Sequence, residues 1–251
     1  AYCKKMLPLV SRTFALNIGH LNGVLHRAVL IGYLLFRIAD TIEDSIDLTA
    51  DEKIATLNLF VRVFETGIFP ALHRGSLNKV LSGSDVKNSP EGDLLVNSPK
   101  VFLCYRALPE TYRIIMGQAL VEAAQGMAMY QKRKRDDPRL VFQLKDEEDL
   151  EQYCYYVAGV VGKMLTRFFC LESSLVPLTA TLEKYQIPFG LCLQLTNIAK
   201  DYPKDLKRGW CYIPETMTRR FGIKAEDLLE TPYLKRQEII ETLINETLPH
   251  L

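Results

Sequence analysis

Apolar side chains recur every three or four residues along most of the chain, which is the period of an α-helix with one buried face. Strict alternation of apolar and polar residues over five or more positions, which is typical of a half-buried strand, is hard to find. The pattern therefore predicts an all-α protein. The predicted helices span residues 9–44, 51–68, 105–134, 147–172, 178–202 and 234–248.

Two polar stretches interrupt this pattern. Residues 82–100 read SGSDVKNSPEGDLLVNSPK, a cluster of turn-forming residues that predicts a long, irregular surface loop. Residues 132–137 read KRKRDD at a predicted helix end, and we interpret them as a solvated face. Because neither flank of the 82–100 segment has the pattern of an independent core, we expect a single domain over residues 1–251.

The composition is that of an ordinary globular protein, with 48% hydrophobic and 24% charged residues. The 31 basic residues against 30 acidic ones leave a formal net charge of +1, whereas general nucleic-acid binders carry a strong basic excess, so no nucleic-acid partner is expected. The longest apolar run, residues 28–36, is far shorter than the ~20 residues of a transmembrane helix.

The six cysteines contain no CxxC pair and the four histidines no HExxH spacing, so neither a zinc site nor a disulfide framework is expected. A reducing, intracellular location fits best, either cytoplasmic or peripheral at a membrane face. No signal peptide is visible. Because the chain begins with Ala1 and stops soon after an amphipathic stretch, we expect it to be truncated at the C-terminus and slightly at the N-terminus.

A first acidic motif stands at the end of the 9–44 helix. Asp40 and Asp44 are four residues apart, so a helix carries both carboxylates on one face, and Arg37 falls within the same narrow arc. The preceding turns are apolar on almost every side, which indicates a buried helix. A carboxylate there must meet a cation or line a wet cavity, because burying it unpaired is costly. The alternative is an exposed helix end before the turn at 45–50.

A second polar stripe lies in the 178–202 helix and just beyond it. Gln194, Asn197, Asp201 and Asp205 follow one another with spacings of three, four and four, among apolar neighbours. A polar stripe on a core helix normally faces water or a ligand. A solvated helix face would give the same pattern.

Together, the two motifs favour a metal site. Two carboxylate pairs on separate helices can face each other across a cavity, and oxygen-only ligands suit Mg²⁺, which also bridges to substrate phosphates. Basic residues lie near both motifs: Arg37, Lys200, Lys204, Lys207 and Arg208. This combination indicates a diphosphate held through Mg²⁺, with apolar walls that hold a hydrocarbon.

Three segments resemble the squalene/phytoene synthase family: DTIED at 40–44, YCYYVAGVVG at 153–162 and QLTNIAKDYPKD at 194–205, with Ser11-Arg12-Thr13-Phe14 upstream. Their order and separations also match. The resemblance implies a class I isoprenoid synthase fold, an all-α helical bundle around a central cavity. It also implies a transferase that joins two prenyl diphosphates head to head through a cyclopropylcarbinyl diphosphate, in sterol, hopanoid or carotenoid biosynthesis.

The resemblance further implies roles for individual residues. Tyr153 would assist ionisation or proton removal, together with the four aspartates. The Mg²⁺ ligands would be Asp40, Asp44, Asn197, Asp201 and Asp205. The substrate-binding residues would be Ser11, Arg12, Phe14, Tyr33, Arg37, Val157, Val161, Leu165, Gln194, Asn197, Lys200 and Arg208, of which Val157, Val161 and Leu165 would line the hydrocarbon channel.

The chain departs from the family pattern at three positions near the second motif. Lys200 stands where many relatives carry Arg, and Trp210 replaces the second Arg of an Arg-Gly-Arg-x-Tyr-x-Pro segment. Pro203 lies between Asp201 and Asp205, where it predicts a kink or a helix end that would displace Asp205.

The product is left open by the sequence. We expect two farnesyl diphosphates to be joined, with NADPH required for a squalene synthase; a phytoene synthase that joins two geranylgeranyl diphosphates, and a dehydrosqualene synthase, are the alternatives. A non-catalytic assembly factor of the same family is expected to have lost the acidic motifs. A chain-elongating prenyltransferase or terpene cyclase would carry DDxxD, which is missing. An apolar product implies peripheral membrane association for delivery, and the oligomeric state is left open.

Overall fold

The computed structural model describes residues 1–67, 79 and 88–247, and helices dominate this part of the chain. The all-α prediction is confirmed. The chain divides into two compact units: unit 1 comprises residues 1–132 and 164–177, and unit 2 comprises residues 133–163 and 178–251. Both units are discontinuous in sequence, and the expectation of a single domain stays a prediction.

Unit 1 is a helical assembly around one central helix, α3. Its elements are α1 (Tyr2–Val10), α2 (Arg12–Gly19), α3 (Gly23–Asp44), α4 (Ala50–Thr66), α5 (Pro90–Val96), α6 (Ser98–Arg106) and most of α7 (Glu110–Asp136).

Helix α3 forms the core of unit 1 because it is apolar on nearly every side. Leu34, Leu35 and Ile38 have no exposed surface, and Ile42 is 1% exposed. Burying each of these side chains contributes roughly 1.5–3 kcal/mol. This helix carries Arg37, Asp40 and Asp44 out of the core toward its C-terminal end.

The predicted 9–44 helix is wrong as one element, because it is broken at residue 11 and at residues 20–22. Ser11 is extended, with φ −152° and ψ 109°, and its side chain accepts a hydrogen bond from the backbone N–H of Phe14 at 3.1 Å. A serine at this position satisfies one of the free N–H groups of the following helix, so a new helix begins without loss of hydrogen bonding.

The predicted loop is wrong for residues 90–96 and 98–100, which are helical, while residues 82–87 lie outside the described part of the chain. The Ser89 side chain caps α5 by accepting from the backbone N–H of Gly92 at 3.0 Å, and prolines stand in the first turns of α5 and α6. These residues interrupt a helix when they lie inside it but favour one when they begin it. The predicted 105–134 helix is likewise divided, and α7 begins after Pro109.

Unit 2 is built around one long helix, α10, and a short two-stranded contact. Its elements are β1 (Phe142–Gln143), α8 (Glu147–Cys154), a π-helical segment (Tyr155–Gly159), α9 (Val160–Phe169, whose last turns belong to unit 1), α10 (Thr179–Lys207), β2 (Trp210–Cys211), α11 (Glu215–Arg220) and α12 (Tyr233–Thr247). The strands pair in parallel, with Phe142 opposite Trp210. None of the described helices is long and apolar enough to cross a membrane.

Candidate active site

The end of α1 meets the middle of α3 at the carbonyl oxygen of Val10. The Tyr33 hydroxyl donates to this oxygen at 3.3 Å. The Arg37 guanidinium donates to the same oxygen at 3.3 Å and to the Tyr33 hydroxyl at 3.1 Å. Ser11, the next residue along the chain, is buried. Three predicted substrate-binding residues, Ser11, Tyr33 and Arg37, are therefore together.

The N-terminal motif extends this cluster toward the surface. The Phe14 ring lies 5.9 Å from the Tyr33 ring and is 42% exposed. The side chain of Arg12 lies outside the described part of the structure. Phe14 is thus the exposed apolar neighbour of a polar group of side chains, and its predicted role in substrate binding stays a prediction.

Arg37 and Asp40 form the charged centre of unit 1. Burial raises the pKa of Asp40 from 3.8 to about 7; the Arg37 charge opposes this shift, and the Asp44 carboxylate adds to it. Burial alone would lower the pKa of Arg37, but the Asp40 carboxylate, the Tyr33 hydroxyl and the Glu91 carboxylate together outweigh this effect, so the pKa of Arg37 is raised. Asp44, the last residue of α3, is exposed. Because the pKa of Asp40 is raised and Asp44 lies nearby, an added cation would stabilise the ionised form of both carboxyl groups.

Arg37 retains a hydrogen-bond donor that an anion can use. Its Nε is buried and has no hydrogen-bond partner among the described residues. Because a buried, unpaired donor costs free energy, an acceptor such as a phosphate oxygen is favoured there.

Residues that the sequence analysis did not select hold the last turn of α3. Lys53 is buried, and its Nζ donates to the backbone carbonyl of Glu43 at 2.6 Å. The Gln131 side chain donates to the same carbonyl at 3.5 Å. The carbonyls of a last helical turn lack partners within the helix, so these donors fix the end of α3 next to Asp44. A single lysine and a single glutamine carry no motif, so the sequence offered no signal for them.

In unit 2, the second acidic motif lies on α10, which continues through Pro203 to Lys207. The prediction that the helix ends at 202 or at Pro203 is therefore wrong. Proline removes one backbone donor, but the neighbouring turns supply the other hydrogen bonds of the helix. Asp205 is buried, and Arg208 donates to its Oδ1 at 2.8 Å, which links two predicted site residues.

Asp201 has different surroundings from Asp205. Its side chain is 33% exposed and lies between two lysines, with Lys200 Nζ at 3.3 Å and Lys204 Nζ at 3.5 Å. One turn earlier, the exposed Asn197 amide donates to the half-buried Gln194 side chain at 3.4 Å. The stripe thus presents an accessible carboxylate surrounded by cations and amides.

Two glycines allow α10 to approach the helical segment before it. A Cβ atom at Gly162 would lie 1.8 Å from the carbonyl oxygen of Gln186, and one at Gly190 would lie 2.5 Å from the carbonyl oxygen of Ala158. No larger residue fits at this backbone separation. The predicted channel residues Val157 and Val161 are half-buried on this segment, and Leu165, also half-buried, belongs to unit 1.

Tyr153 is buried at the end of α8 and is paired with a second tyrosine. Its ring stacks on the Tyr212 ring at 4.5 Å, and its hydroxyl donates to the Tyr212 hydroxyl at 3.0 Å. The sequence analysis did not select Tyr212 as a site residue. The matching Arg-Gly-x-x-Tyr-x-Pro segment was the available signal.

The interpretation of residues 132–137 as a solvated face is wrong for Arg133 and Lys134. Arg133 binds both carboxylate oxygens of Asp149, at 2.5 and 2.6 Å. Lys134 donates to the backbone carbonyl of Arg208 at 2.7 Å and lies 4.7 Å from the centre of the Trp210 ring. These side chains therefore support the segment that holds Arg208 and Tyr212.

The donor chemistry of the two motifs fits Mg²⁺. Each motif supplies two aspartates, and Mg²⁺ in proteins is typically held by one or two carboxylates, with water and phosphate oxygens completing its shell. Among the described residues, no group of three or more His, Cys, Asp or Glu side chains forms a metal site on its own. Asp40 and Asp44 lie in unit 1 and Asp201 and Asp205 in unit 2, so their predicted joint action stays a prediction.

Comparison with known proteins identifies the family. A family model described as squalene/phytoene synthase matches residues 7–251. The squalene synthase of Schizosaccharomyces pombe is 31% identical over 228 residues, which are 90% of this chain and 46% of that protein. The chain spans about half the length of the curated relatives it matches.

Comparison with solved structures gives the same family. A structure of TcSQS with the ligand BPH1237 has a TM-score of 0.78 and 26% identity, covering 99% of this chain and 68% of that one. A dehydrosqualene synthase in complex with a ligand has a TM-score of 0.64 at 22% identity, covering 98% and 72%, which shows the shared fold. The chain therefore belongs to the squalene/phytoene synthase family, as its acidic and tyrosine motifs predicted.

Proposed function

We propose that the protein to which this chain belongs joins two prenyl diphosphates head to head in a Mg²⁺-dependent reaction, and that both substrates are farnesyl diphosphate. The carrying observation is the electrostatic proximity of Asp40 and Arg37 on α3: the pKa of a carboxyl group is raised to about 7 near a guanidinium that has an unpaired buried donor. Such a pair favours a cation and an anion together, which is what a metal diphosphate supplies.

In this proposal, unit 1 binds a diphosphate through Arg37. Its Nη2 is occupied by Val10 and Tyr33, so its free Nε donates to a phosphate oxygen while the guanidinium keeps its orientation. Charge-assisted hydrogen bonds of this kind are about twice as strong as neutral ones. Ser11 and Phe14 then hold the first part of the prenyl chain.

In unit 2, the basic side chains around Asp201 attract the second anion. Lys200 and Lys204 are exposed and mobile enough to turn from Asp201 toward a phosphate, whereas Arg208 is held by Asp205. Lysine supplies a point charge in place of the bidentate contact of arginine, so the Lys200 departure keeps the charge and lowers the geometric selectivity.

In unit 1, Asp40 and Asp44 would hold Mg²⁺, and in unit 2, Asn197, Asp201 and Asp205 would do so; Mg²⁺ when bound would neutralise the leaving diphosphate and lower the barrier to ionisation. The half-buried Val157, Val161 and Leu165 would keep water from the allylic cation. Tyr153 would hold or move a proton at its hydroxyl oxygen when the second double bond attacks and a proton is lost.

Product analysis tests this proposal. The protein is incubated with Mg²⁺ and either farnesyl or geranylgeranyl diphosphate, with and without NADPH, and the hydrocarbon products are identified by mass spectrometry. Squalene formed only with NADPH is the expected result. Dehydrosqualene or phytoene formed without NADPH would instead identify the corresponding alternative synthase.

Variants test the assignment of the acidic residues. Asp40→Asn and Asp201→Asn are each expected to lower turnover by at least about 100-fold, because each removes a charge that faces the leaving group. Asp51→Asn, an exposed aspartate in the first turn of α4, is the matched control and is expected to keep full activity. Full activity in either motif variant would contradict the assignment.

Binding separates an inactive synthase from an assembly factor. Calorimetry with farnesyl thiodiphosphate, an unreactive substrate analogue, is expected to show Mg²⁺-dependent binding that Asp40→Asn abolishes. A folded protein that neither binds the analogue nor forms product would favour the assembly factor. Cosedimentation with liposomes tests the proposed peripheral membrane association, and cell fractionation tests the proposed intracellular location.

A further inference from the structure

Four aromatic rings of unit 2 form a continuous column that ends at Tyr153. Tyr153 stacks on Tyr212 at 4.5 Å with an interplanar angle of 22°, and Tyr212 stacks on Trp210 at 5.5 Å and 19°. The Trp210 ring then meets the edge of Phe142 at 5.0 Å and 74°. Tyr153, Tyr212, Trp210 and Phe142 are all less than 9% exposed, so water does not separate the rings.

The far end of this column is fixed by backbone hydrogen bonds. Phe142 N–H donates to the carbonyl of Gly209 at 3.0 Å, and Leu144 N–H donates to that of Cys211 at 3.2 Å. Lys134 covers the Trp210 face at 4.7 Å. The pairing of β1 with β2 therefore fixes the backbone directly before Tyr212.

Trp210, one of the three residues that depart from the family pattern, completes this column. An arginine at position 210 would present a guanidinium in place of the indole between Tyr212 and Phe142. The indole instead stacks on Tyr212, lies 4.7 Å from the ammonium of Lys134 and makes an edge contact with Phe142.

The hydrogen bond at the near end joins two groups of the same kind. A phenol can donate and accept, so the 3.0 Å contact between the Tyr153 and Tyr212 hydroxyls can reverse its direction as the proton demand on Tyr153 changes. A hydroxyl that accepts from Tyr153 in one state can donate to it in another.

From this geometry we infer that Tyr212 is a positioning residue for Tyr153: it fixes the direction of the Tyr153 hydroxyl through one hydrogen bond and one ring stack. The catalytic consequence rests on the proposed function, in which Tyr153 holds or moves a proton. The contact itself does not rest on that function.

Tyr212→Phe tests the inference because it keeps the ring and removes only the hydroxyl. With ¹³Cζ-labelled tyrosine, the NMR resonance of Tyr153 is expected to move because its hydroxyl loses the acceptor at Tyr212. The pH at which Tyr153 titrates is expected to rise, because the Tyr212 hydroxyl can no longer donate to the ionised Tyr153 oxygen. In turnover, kcat is expected to fall about 10- to 100-fold with little change in KM, since orientation is lost and substrate binding is kept. The alkaline limb of the pH–rate profile is expected to shift in the same direction as the NMR titration.

Tyr112→Phe is the matched control. Tyr112 is also buried, and its hydroxyl donates to Glu172 in unit 1 at 3.1 Å, so its loss removes a comparable hydrogen bond elsewhere. This variant is expected to leave the Tyr153 resonance and kcat unchanged. A second variant, Tyr212→Leu, removes the stack as well and is expected to lower kcat further than Tyr212→Phe does.

The outcomes distinguish this inference from the proposed function. An unchanged Tyr153 resonance in Tyr212→Phe overturns the inference, whether or not the wild-type protein turns over. A shifted resonance with unchanged kcat overturns the catalytic consequence. A shifted resonance in a protein that forms no product supports the contact and counts against the proposed function alone.

Discussion

Replacing Asp40 with asparagine is expected to stabilise the metal-free protein while abolishing its proposed activity. Burial raises the pKa of Asp40 from 3.8 to about 7, so at neutral pH the folded protein holds a carboxylate that is unfavourable in its surroundings. Asparagine has the same shape and no charge. The substitution therefore removes the cost of this charge without leaving a cavity.

The size of the expected gain in the free energy of unfolding follows from the pKa of Asp40 in the unfolded and the folded protein. The difference between 3.8 and about 7 corresponds to an upper limit of about 4 kcal/mol in the free energy of unfolding. Asp40 is half-buried, so solvent screening reduces this value, and we expect about 1–3 kcal/mol. The folded state binds the Asp40 proton more tightly than the unfolded state does. Protonated Asp40 therefore makes its full contribution to stability below about pH 4. This contribution is lost as the pH rises to about 7, and stability no longer changes through Asp40 at higher pH.

The assay is urea unfolding of EDTA-treated protein, followed by far-UV circular dichroism at several pH values. Other groups titrate equally in both proteins, so the informative quantity is the difference in unfolding free energy between Asp40→Asn and wild type. This difference is expected to be near zero at about pH 4 and to grow to its full value above about pH 7. Asp44→Asn is expected to give a smaller gain, because Asp44 only adds to the shift.

A difference that does not change with pH, or a destabilised Asp40→Asn protein, would refute the reasoning. Either result would mean that the Asp40 carboxylate is paired in the folded protein well enough to offset its burial. The Arg37 charge would then dominate over desolvation, and the expected affinity of this position for a cation would fall.

Three further predictions concern packing and cysteine chemistry. Gly162→Ala is expected to lower the unfolding free energy by several kcal/mol, or to prevent folding, because its Cβ would lie 1.8 Å from a backbone oxygen. Gly19→Ala is expected to be tolerated, because no atom lies within 4 Å of its Cβ. Thermal unfolding of both variants checks this prediction, and equal stability of the two would contradict it. Asp149→Asn breaks a bidentate arginine pair and is expected to cost about 3 kcal/mol in the same assay, while a loss below about 1 kcal/mol would show that the pair is effectively solvated. The Cys3 and Cys104 sulfurs are 3.7 Å apart, and burial raises the pKa of Cys3 to about 12. Diamide is therefore expected to cross-link these two cysteines, and to do so faster as the pH rises. Mass spectrometry of an unreduced digest identifies the linked peptides, and a link from either cysteine to a different one would contradict the geometry.

The helical class was predictable because the period of apolar residues is a local property of the chain. The breaks were harder, since Ser11, Ser89 and Pro109 act through capping, which depends on where a helix begins and not on the average pattern. The run at 132–137 was misread for the same reason: whether a basic residue is solvated depends on a partner such as Asp149, which the local pattern does not reveal.

The sequence by itself determined the family and the acidic motifs, because the spacing of Asp40 from Asp44 and of Asp201 from Asp205 is fixed along a helix. Only the tertiary structure decided how these residues differ. Asp205 is buried with Arg208 while Asp201 remains accessible, although both carry the same charge on one stripe. Burial and pKa depend on which side chains of distant segments come close, and a local pattern contains no information about them.

The same reason explains Tyr212. It lies 59 residues from Tyr153 in the chain, and the pairing of β1 with β2 fixes the segment that brings its hydroxyl within 3.0 Å of the Tyr153 hydroxyl. The motif drew attention to Tyr153 from the sequence alone. Tyr212 becomes visible as its neighbour only through packing, which the folded chain defines.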